Sequence, residues 1–248
     1  MKKVLPKNPH SKPKGRIMID LIASVVIVVT IISLSLAVNM TSSQDNKTTN
    51  VGNFAIYKGN EKRQAAALMF NVYEGKEVVM EILSILRNYA VKATFFIGGI
   101  WAENNGDILR KIVESGSELG CHGYLHKDHA KLSLEQNKEE IVKTNRLIRE
   151  YTGKTVTLFA PPSGSYGRNT ESACRALGQK MILWTKDTVD WRDSDVSLLI
   201  KRATKNMSAG DLILMHPKPQ TLTALPSIIE AYLAKGFSLL TVSEMIPT

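Results

Sequence analysis

The sequence is poor in cysteine and lacks several motifs, and each scarcity excludes a class of protein. Only two of the 248 residues are cysteines, so at most one disulfide can form and a disulfide-stabilised scaffold is excluded. No glycine-rich phosphate loop follows a predicted strand, which argues against a nucleotide-binding sheet. No arginine-rich stretch with interleaved aromatic residues occurs, so we expect no nucleic-acid partner. Low-complexity tracts and internal repeats are also missing, which leaves an ordinary globular composition.

The N-terminal region combines positive charge with a long apolar run. Residues 1–16 form a basic head without an acidic residue, and its cations are Lys2, Lys3, Lys7, Lys12, Lys14 and Arg16. Residues 17–38 are an apolar segment interrupted by one charge, Asp20. As a helix, residues 21–38 would rise about 27 Å, close to the thickness of the bilayer hydrocarbon. We therefore predict one transmembrane or signal-anchor helix, with the basic head in the cytoplasm.

This orientation predicts a single-pass protein of the cell membrane whose C-terminal domain is extracytoplasmic. Small residues at Ser35 and Ala37 leave open cleavage near Ala37 and secretion, but the apolar run is longer than the usual core of a signal peptide. Residues 39–62 are interpreted as a linker, because their first part, 39–50, is polar and has no apolar periodicity. Residues 63–248 form the predicted domain.

The net charge of +9 depends mainly on the basic head. Without the six leading cations and Asp20, the remainder carries 26 basic and 22 acidic residues, a net charge of +4. Most of the basicity is therefore an orientation signal, and it does not indicate a nucleic-acid surface.

From residue 65 onward, short apolar runs alternate with helical patterns. The predicted strands are 66–72, 93–97, 155–159, 181–184, 212–215 and 238–240. The predicted helices are 77–89, 107–115, 133–151, 169–177, 196–207 and 223–235. Ser133 with Gln136 three residues later indicates a capping box at the start of the third helix. Alternating strands and helices favour a parallel α/β sheet, and a series of such units without a phosphate loop favours a barrel.

Polar residues follow the predicted strands, where the chemistry of such barrels collects. Asn71 closes the first strand. His122 and His126, four residues apart after a glycine, have the spacing to bind one divalent metal. Asp187 and His216 also follow apolar runs, although a turn aspartate and a hydrogen-bonded structural histidine remain the alternatives for these two.

These motifs resemble the polysaccharide deacetylases with a NodB-homology domain, carbohydrate esterase family 4, over residues 63–246. The family's ordered landmarks are a strand ending in Thr-Phe-Asp-Asp, a His-x-x-x-His, an Arg-x-Pro-x-Gly loop, an Asp-x-x-Asp-Trp and a Leu-x-His. Here they correspond to 69–72, 122–126, 160–164, 187–191 and 214–216. The resemblance implies a distorted (β/α)7 barrel, preceded in this chain by the one transmembrane helix.

The resemblance also implies roles for individual residues in the hydrolysis of N-acetyl groups of cell-wall polysaccharide. His122 and His126 would hold a divalent metal, zinc or a similar ion. His216, tuned by Asp187 or Asp190, would protonate the departing amine. The substrate-binding residues expected from the third and fourth motifs are Pro162, Ser163, Gly164, Tyr166 and Trp191. Protein partners are unknown.

Three positions to which the family assigns a catalytic or metal-binding role depart from its pattern. Asn71 stands at the position of the general base, Val72 at that of the third metal ligand, and Ala160 at that of the arginine. An amide does not accept a proton at neutral pH and an isopropyl group does not coordinate a metal, so we expect weak metal binding or none. An apolar residue at position 72 is similar to the sporulation-associated subgroup, which keeps the aspartate at position 71. Glu74 is a nearby carboxylate that could substitute.

Two functions therefore stay open from the sequence. The first is an extracytoplasmic polysaccharide deacetylase-like protein with impaired catalysis. The second is a non-catalytic protein of the same fold that binds wall glycan or a partner. Whether the chain is an enzyme is not decided by its sequence.

Overall fold

The computed structural model describes residues 54–246, which form one parallel sheet with helices packed against its outer side. The strands are β1 (Ala65–Val72), β2 (Thr94–Ile97), β3 (Glu118–Cys121), β4 (Leu158–Phe159), β5 (Lys180–Met181), β6 (Lys186–Asp187), β7 (Asp211–Met215) and β8 (Ser238–Leu240). The α-helices are α1 (Lys76–Asn88), α2 (Gly99–Asn104), α3 (Gly106–Glu114), α4 (Leu134–Thr152), α5 (Arg168–Ala176), α6 (Val196–Thr204), α7 (Pro219–Ala234) and α8 (Val242–Met245).

The sheet is an α/β half-barrel of parallel strands, which agrees with the predicted distorted (β/α)7 barrel in its parallel architecture. The strand order is β5-β4-β3-β2-β1-β7-β6, and β8 also pairs with β1. Within residues 54–246, no pairing joins the end strands β5 and β6. Each of these two end strands has two residues.

The edge of the sheet at β5 is covered by the segment that precedes β1. Ile56 bridges Ile182, and its backbone N–H donates to the Met181 carbonyl at 2.8 Å. The Gly59 N–H donates to the Gly210 carbonyl, also at 2.8 Å. Residues 56 and 59 therefore already pack on the sheet, although the start of the domain was predicted at residue 63.

The side chains of β1 alternate between two apolar clusters because successive residues of a strand point to opposite faces. Ala65, Ala67 and Met69 belong to an inner cluster enclosed by the sheet. Ala66, Leu68, Phe70 and Val72 belong to an outer cluster between the sheet and the helices. All eight residues of β1 are buried, which explains its continuous apolar sequence.

Several predicted helix bounds need correction. The sixth predicted helix begins four residues earlier, at Pro219, because proline is well tolerated in the first turn of a helix. The fifth ends at Thr204 instead of 207. The short helices α2 and α8 and the strand β6 were not predicted, since none has enough residues to show a period. Strand β3 was not predicted because Glu118 and Gly120 interrupt its apolar residues.

The predicted transmembrane segment, 17–38, lies outside the described residues. In residues 54–246, no helix has both the length and the apolar character needed to cross a membrane.

Candidate functional site

A cavity of about 210 Å³ opens at the carboxyl ends of the strands. It collects side chains that are distant in sequence, because parallel strands deliver their C-terminal residues to the same edge. The lining residues are Asn71, Tyr73, His122, His126, Ser163, Trp184, Asp187, Trp191, Leu214 and His216. Most of the predicted site residues are therefore brought together.

The end of β1 places two neighbouring site positions on opposite sides of the sheet. Asn71 lines the cavity and is 2% exposed, and its Oδ1 has no hydrogen-bond partner among the described atoms. Val72 points the other way, into the outer cluster. A ligand position at residue 72 would therefore require the strand end to turn, which the sequence did not reveal.

His122 follows β3 and is completely buried. Its Nδ1 lies 2.7 Å from the Ala160 carbonyl oxygen, and since a carbonyl only accepts, Nδ1 carries the hydrogen. In the neutral ring, Nε2 then has a free lone pair, and this buried atom has no partner among the described residues. Burial, assisted by the neighbouring His126, holds the pKa of His122 well below its usual range. The residue is therefore a neutral imidazole available to a ligand.

His126 lies next to His122, with the two ring centroids 5.1 Å apart. It is half-buried, and burial followed by the proximity of His216 lowers its pKa. Its backbone has a φ of 54°, a left-handed conformation that non-glycine residues adopt at some energetic cost. The loop between the two histidines is held by Glu140 of α4, whose Oε2 accepts the Tyr124 and Leu125 N–H groups at 2.8 and 2.7 Å.

The two histidines fit a divalent ion only in part. Two imidazoles on one tetrahedral ion, with metal–nitrogen bonds of about 2 Å, place their ring centroids about 5 Å apart, which agrees with the pair seen here. Within the described part of the chain, however, no group of three or more histidine, cysteine, aspartate or glutamate side chains is arranged to bind a metal. Glu74 does not supply the third ligand, because it forms an ion pair with Lys218 outside the cavity.

His216 follows β7 and forms a tight pair with Asp190. Its Nδ1 lies 2.8 Å from Asp190 Oδ1, and its backbone N–H donates to Oδ2 at 2.7 Å. The Thr221 hydroxyl donates to the same Oδ2 at 2.6 Å. Asp190 is completely buried, so these bonds supply the partners that a buried carboxylate needs. The pair fixes the His216 ring and leaves Nε2 for the cavity.

Asp187 lies at the end of β6 and lines the cavity, and among the described residues its side chain makes no hydrogen bond to His216. Its Oδ1 accepts the Val189 N–H at 2.7 Å, so it also closes the turn that leads to Asp190. Burial raises the pKa of Asp187. The structure thus gives the pairing with His216 to Asp190, where the sequence left both aspartates as candidates.

The predicted substrate-binding residues are only partly at the cavity. Ser163 and Trp191 line it, and the Trp191 side chain is about half exposed at its mouth. Pro162, Gly164 and Tyr166 are absent from the lining of this cavity. Gly164 instead allows the loop to approach the Trp184 ring, where a Cβ would come within 2.7 Å, and the Tyr166 hydroxyl pairs with Tyr57 at 3.1 Å.

Two aromatic residues of the cavity were missed by the sequence reasoning, Tyr73 and Trp184. The strand period gave a usable signal for Tyr73, because residue 73 follows Asn71 by two and shares its direction. For Trp184 there was none, since it was assigned to a buried strand.

Comparison with known proteins gives a consistent picture. The profile of the family described as polysaccharide deacetylase matches residues 58–182, just over half of the chain. The uncharacterised protein YlxY of Bacillus subtilis is 37% identical over 191 residues, which cover 77% of this chain and 60% of that protein. A peptidoglycan-N-acetylglucosamine deacetylase of Bacillus cereus is 28% identical over 197 residues, 77% of this chain and 72% of the enzyme.

Among solved structures, a CE4 family pseudoenzyme from Bacillus anthracis is similar with a TM-score of 0.75 and 33% identity. The similarity covers 78% of this chain and 69% of the pseudoenzyme. A mutant of that pseudoenzyme with restored enzymatic activity gives the same TM-score at 32% identity.

Proposed function

Because this chain belongs to the polysaccharide deacetylase family, we propose that its cavity takes the N-acetyl groups of cell-wall glycan and that hydrolysis there is severely impaired. One observation carries the proposal. The cavity pairs an intact His216–Asp190 unit with an amide, Asn71, at the position of the general base. The site therefore has the acid half of a hydrolytic mechanism and lacks the base half.

The acid half depends on how Asp190 holds His216. The carboxylate accepts the hydrogen of Nδ1 and so fixes the ring orientation, and in a charged ring Nε2 carries the second hydrogen. From there the proton can pass to the sugar amine as the amide bond breaks. A glycan whose acetamido nitrogen faces His216 would meet a preorganised proton donor.

The base half is missing because of residue chemistry. Asn71 cannot accept a proton from the attacking water at neutral pH. Ala160 contributes a methyl group to the inner cluster, so no guanidinium orients the base position. A divalent ion, held here by His122 and His126 alone, would supply polarisation of the acetyl carbonyl when bound. Loss of general-base catalysis typically forfeits about two to four orders of magnitude in rate.

A second candidate function is glycan binding without chemistry. It is supported by the similarity to a CE4 family pseudoenzyme and by the aromatic walls that Trp184 and Trp191 give the cavity. It differs from the first in requiring binding of N-acetylglucosamine oligomers with no release of acetate.

We also propose that the domain acts outside the cytoplasm, anchored by segment 17–38. The support is the distribution of charge in the sequence together with the peptidoglycan substrate of the Bacillus cereus relative. The chain spans 60% of the length of its Bacillus subtilis relative, so the proposed function concerns only the part that the two proteins share.

The first prediction concerns a variant in which the base half is restored. We expect the variant Asn71→Asp, Ala160→Arg to release acetate from N-acetylglucosamine oligomers about 10²- to 10⁴-fold faster than the unaltered chain, with added zinc or cobalt. Adding Val72→Asp should help only if the strand end turns, since residue 72 faces the outer cluster. Circular dichroism checks folding, because a buried acid can destabilise the strand.

The matched control adds His216→Ala to the restored variant, which should abolish the gain. Turnover of the unaltered chain at about 1 per second or faster, an ordinary enzymatic rate, would show that the site is not impaired. Oligomer binding without acetate release, even after restoration, would favour the second function.

A further inference from the structure

The Tyr73 ring lies among the three imidazoles of the cavity. Its centroid is 4.2 Å from that of His126, a direct contact, and 6.2 Å from those of His122 and His216. His122 and His126 form the metal-binding side of the proposed site, and His216 forms the acid side. Tyr73 therefore stands at the boundary between the metal-binding side and the acid side.

The backbone around Tyr73 is fixed on two sides. On one side, a Cβ at Gly98 would come within 3.3 Å of the Tyr73 Cβ, so the glycine allows close packing there. On the other side, Gly75 has a φ of 77°, and a Cβ there would meet the Pro217 carbonyl oxygen at 2.7 Å. The ion pair of Glu74 with Lys218 ties the same turn to the segment after His216. Tyr73 thus enters the cavity from a rigid turn.

Hydrolysis of an acetamido group requires its carbonyl near the two metal-binding histidines and its nitrogen near His216. The group must therefore span the boundary at which the Tyr73 ring stands. A phenol ring in contact with His126 leaves less room for an ion and for the acetyl group beside it.

We propose that Tyr73 is a steric plug of the histidine pair, which a divalent ion and an acetyl group can reach only after the ring turns away. The inference rests on the proposed function and adds a steric obstacle to the replacements at residues 71, 72 and 160. It predicts that the ring, and not the phenol oxygen, opposes metal binding.

The test is zinc titration of the full-length chain in detergent, with a chromophoric chelator as competitor. Tyr73→Ala should bind zinc about tenfold more tightly than the unaltered chain, if the Tyr73 ring is turned away from the histidines in about one molecule in ten. Tyr73→Phe is the matched control, since it keeps the ring and removes the hydroxyl, and its affinity should equal that of the unaltered chain. Tyr73→Ser repeats the test if the alanine variant folds poorly.

Each other outcome overturns the proposal that the Tyr73 ring blocks the histidine pair. Equal or weaker binding by Tyr73→Ala, including no binding by any variant, means that the ring does not keep the ion out. Weakening in both Tyr73→Phe and Tyr73→Ala means that the oxygen is a ligand. A gain that survives His126→Ala means that the zinc lies elsewhere. The titration needs no turnover, so its failure is distinct from the failure of the acetate-release experiment.

Discussion

At the scale of single residues, the cavity contrasts satisfied with unsatisfied polar groups. Asp190 accepts three hydrogen bonds, whereas Asn71 Oδ1 and His122 Nε2 are buried without partners among the described atoms. Each buried polar atom without a partner typically costs about 1 to 3 kcal/mol. Both residues line the cavity, where water or a polar ligand can supply the missing hydrogen bonds.

A second prediction at this scale concerns pH and a buried histidine outside the cavity. His129 is buried, its Nδ1 lies 2.7 Å from Asn137 Oδ1, and burial lowers its pKa despite the nearby Glu140 and Asp128. Below its usual value of 6.5, the unfolded chain takes up a proton that the folded chain refuses. Stability should therefore fall as the pH drops through about 6.5 toward the lowered value.

Urea denaturation of the metal-free protein at several pH values between about 7.5 and 5.5 measures this loss. His129→Gln should reduce its slope by up to about 1.4 kcal/mol per pH unit, the value for one proton. His126→Gln, which removes a half-buried ring, is the control and should reduce the slope less. An unchanged slope in His129→Gln would show that this histidine titrates normally in the folded chain. Asp187, whose pKa is raised by burial, has the opposite effect on stability. Its contribution increases as the pH falls through the raised pKa toward the ordinary value of 3.8.

At the scale of elements, α4 holds the histidine loop from behind. The helix starts at a capping box of Ser133 and Gln136, with bonds of 3.2 and 2.9 Å. This fixed start sets the position of Glu140, whose carboxylate accepts two N–H groups of the loop between His122 and His126. The geometry of the histidine pair therefore depends on a helix that does not reach the cavity.

We predict that Glu140→Ala loosens this loop and weakens zinc binding by the full-length chain. The Tyr124 and Leu125 N–H groups lose their charged acceptor, which should cost about 1.5 to 3 kcal/mol in urea denaturation. Hydrogen exchange of these two amides should accelerate. Glu139→Ala, an exposed neighbour paired with Lys143, is the matched control and should change neither readout. Equal protection of the amides in both variants would contradict the role of Glu140.

At the scale of the whole molecule, the open sheet determines where the site can form. Its centre, β1, is paired with β2, β7 and β8, while the edge at β5 is covered by the segment around Ile56. The cavity forms where the ends of β1, β3, β6 and β7 meet, and the loop after β4 provides Ser163. Closure of the ring is not needed for this convergence.

A prediction for the whole chain concerns its topology. Two reporters fused after Thr248 test this topology. One that is active only outside the cytoplasm should give a signal and one that is active only in the cytoplasm should not, because the cationic head stays inside. Neutral replacements of the six cations, Lys2, Lys3, Lys7, Lys12, Lys14 and Arg16, should weaken the bias. Neutral replacement of six cations in the second half of the chain, excluding Lys218, is the control and should leave it unchanged. Activity of the cytoplasmic reporter alone would reverse the proposed orientation.

Local patterns predicted much of the fold because several elements carry their own signals. The strand β1 reads as a continuous apolar run, and α4 starts at its capping box, so both were found nearly to the residue. The helix α2 and the strand β6 are too short to show a period, and α7 begins with a proline that the predicted helix left out. Their positions depend on contacts with distant segments.

The family resemblance, the histidine pair and the amide at position 71 can be recognised in the chain alone, because they depend on residue type and order. The folded molecule was needed to show that Val72 faces the outer cluster, that Asp190 and not Asp187 pairs with His216, and that the Tyr73 ring lies against His126. The physical reason is direction. A motif gives the order of side chains along the chain, whereas the turn of each strand end and the packing behind it set where each side chain points.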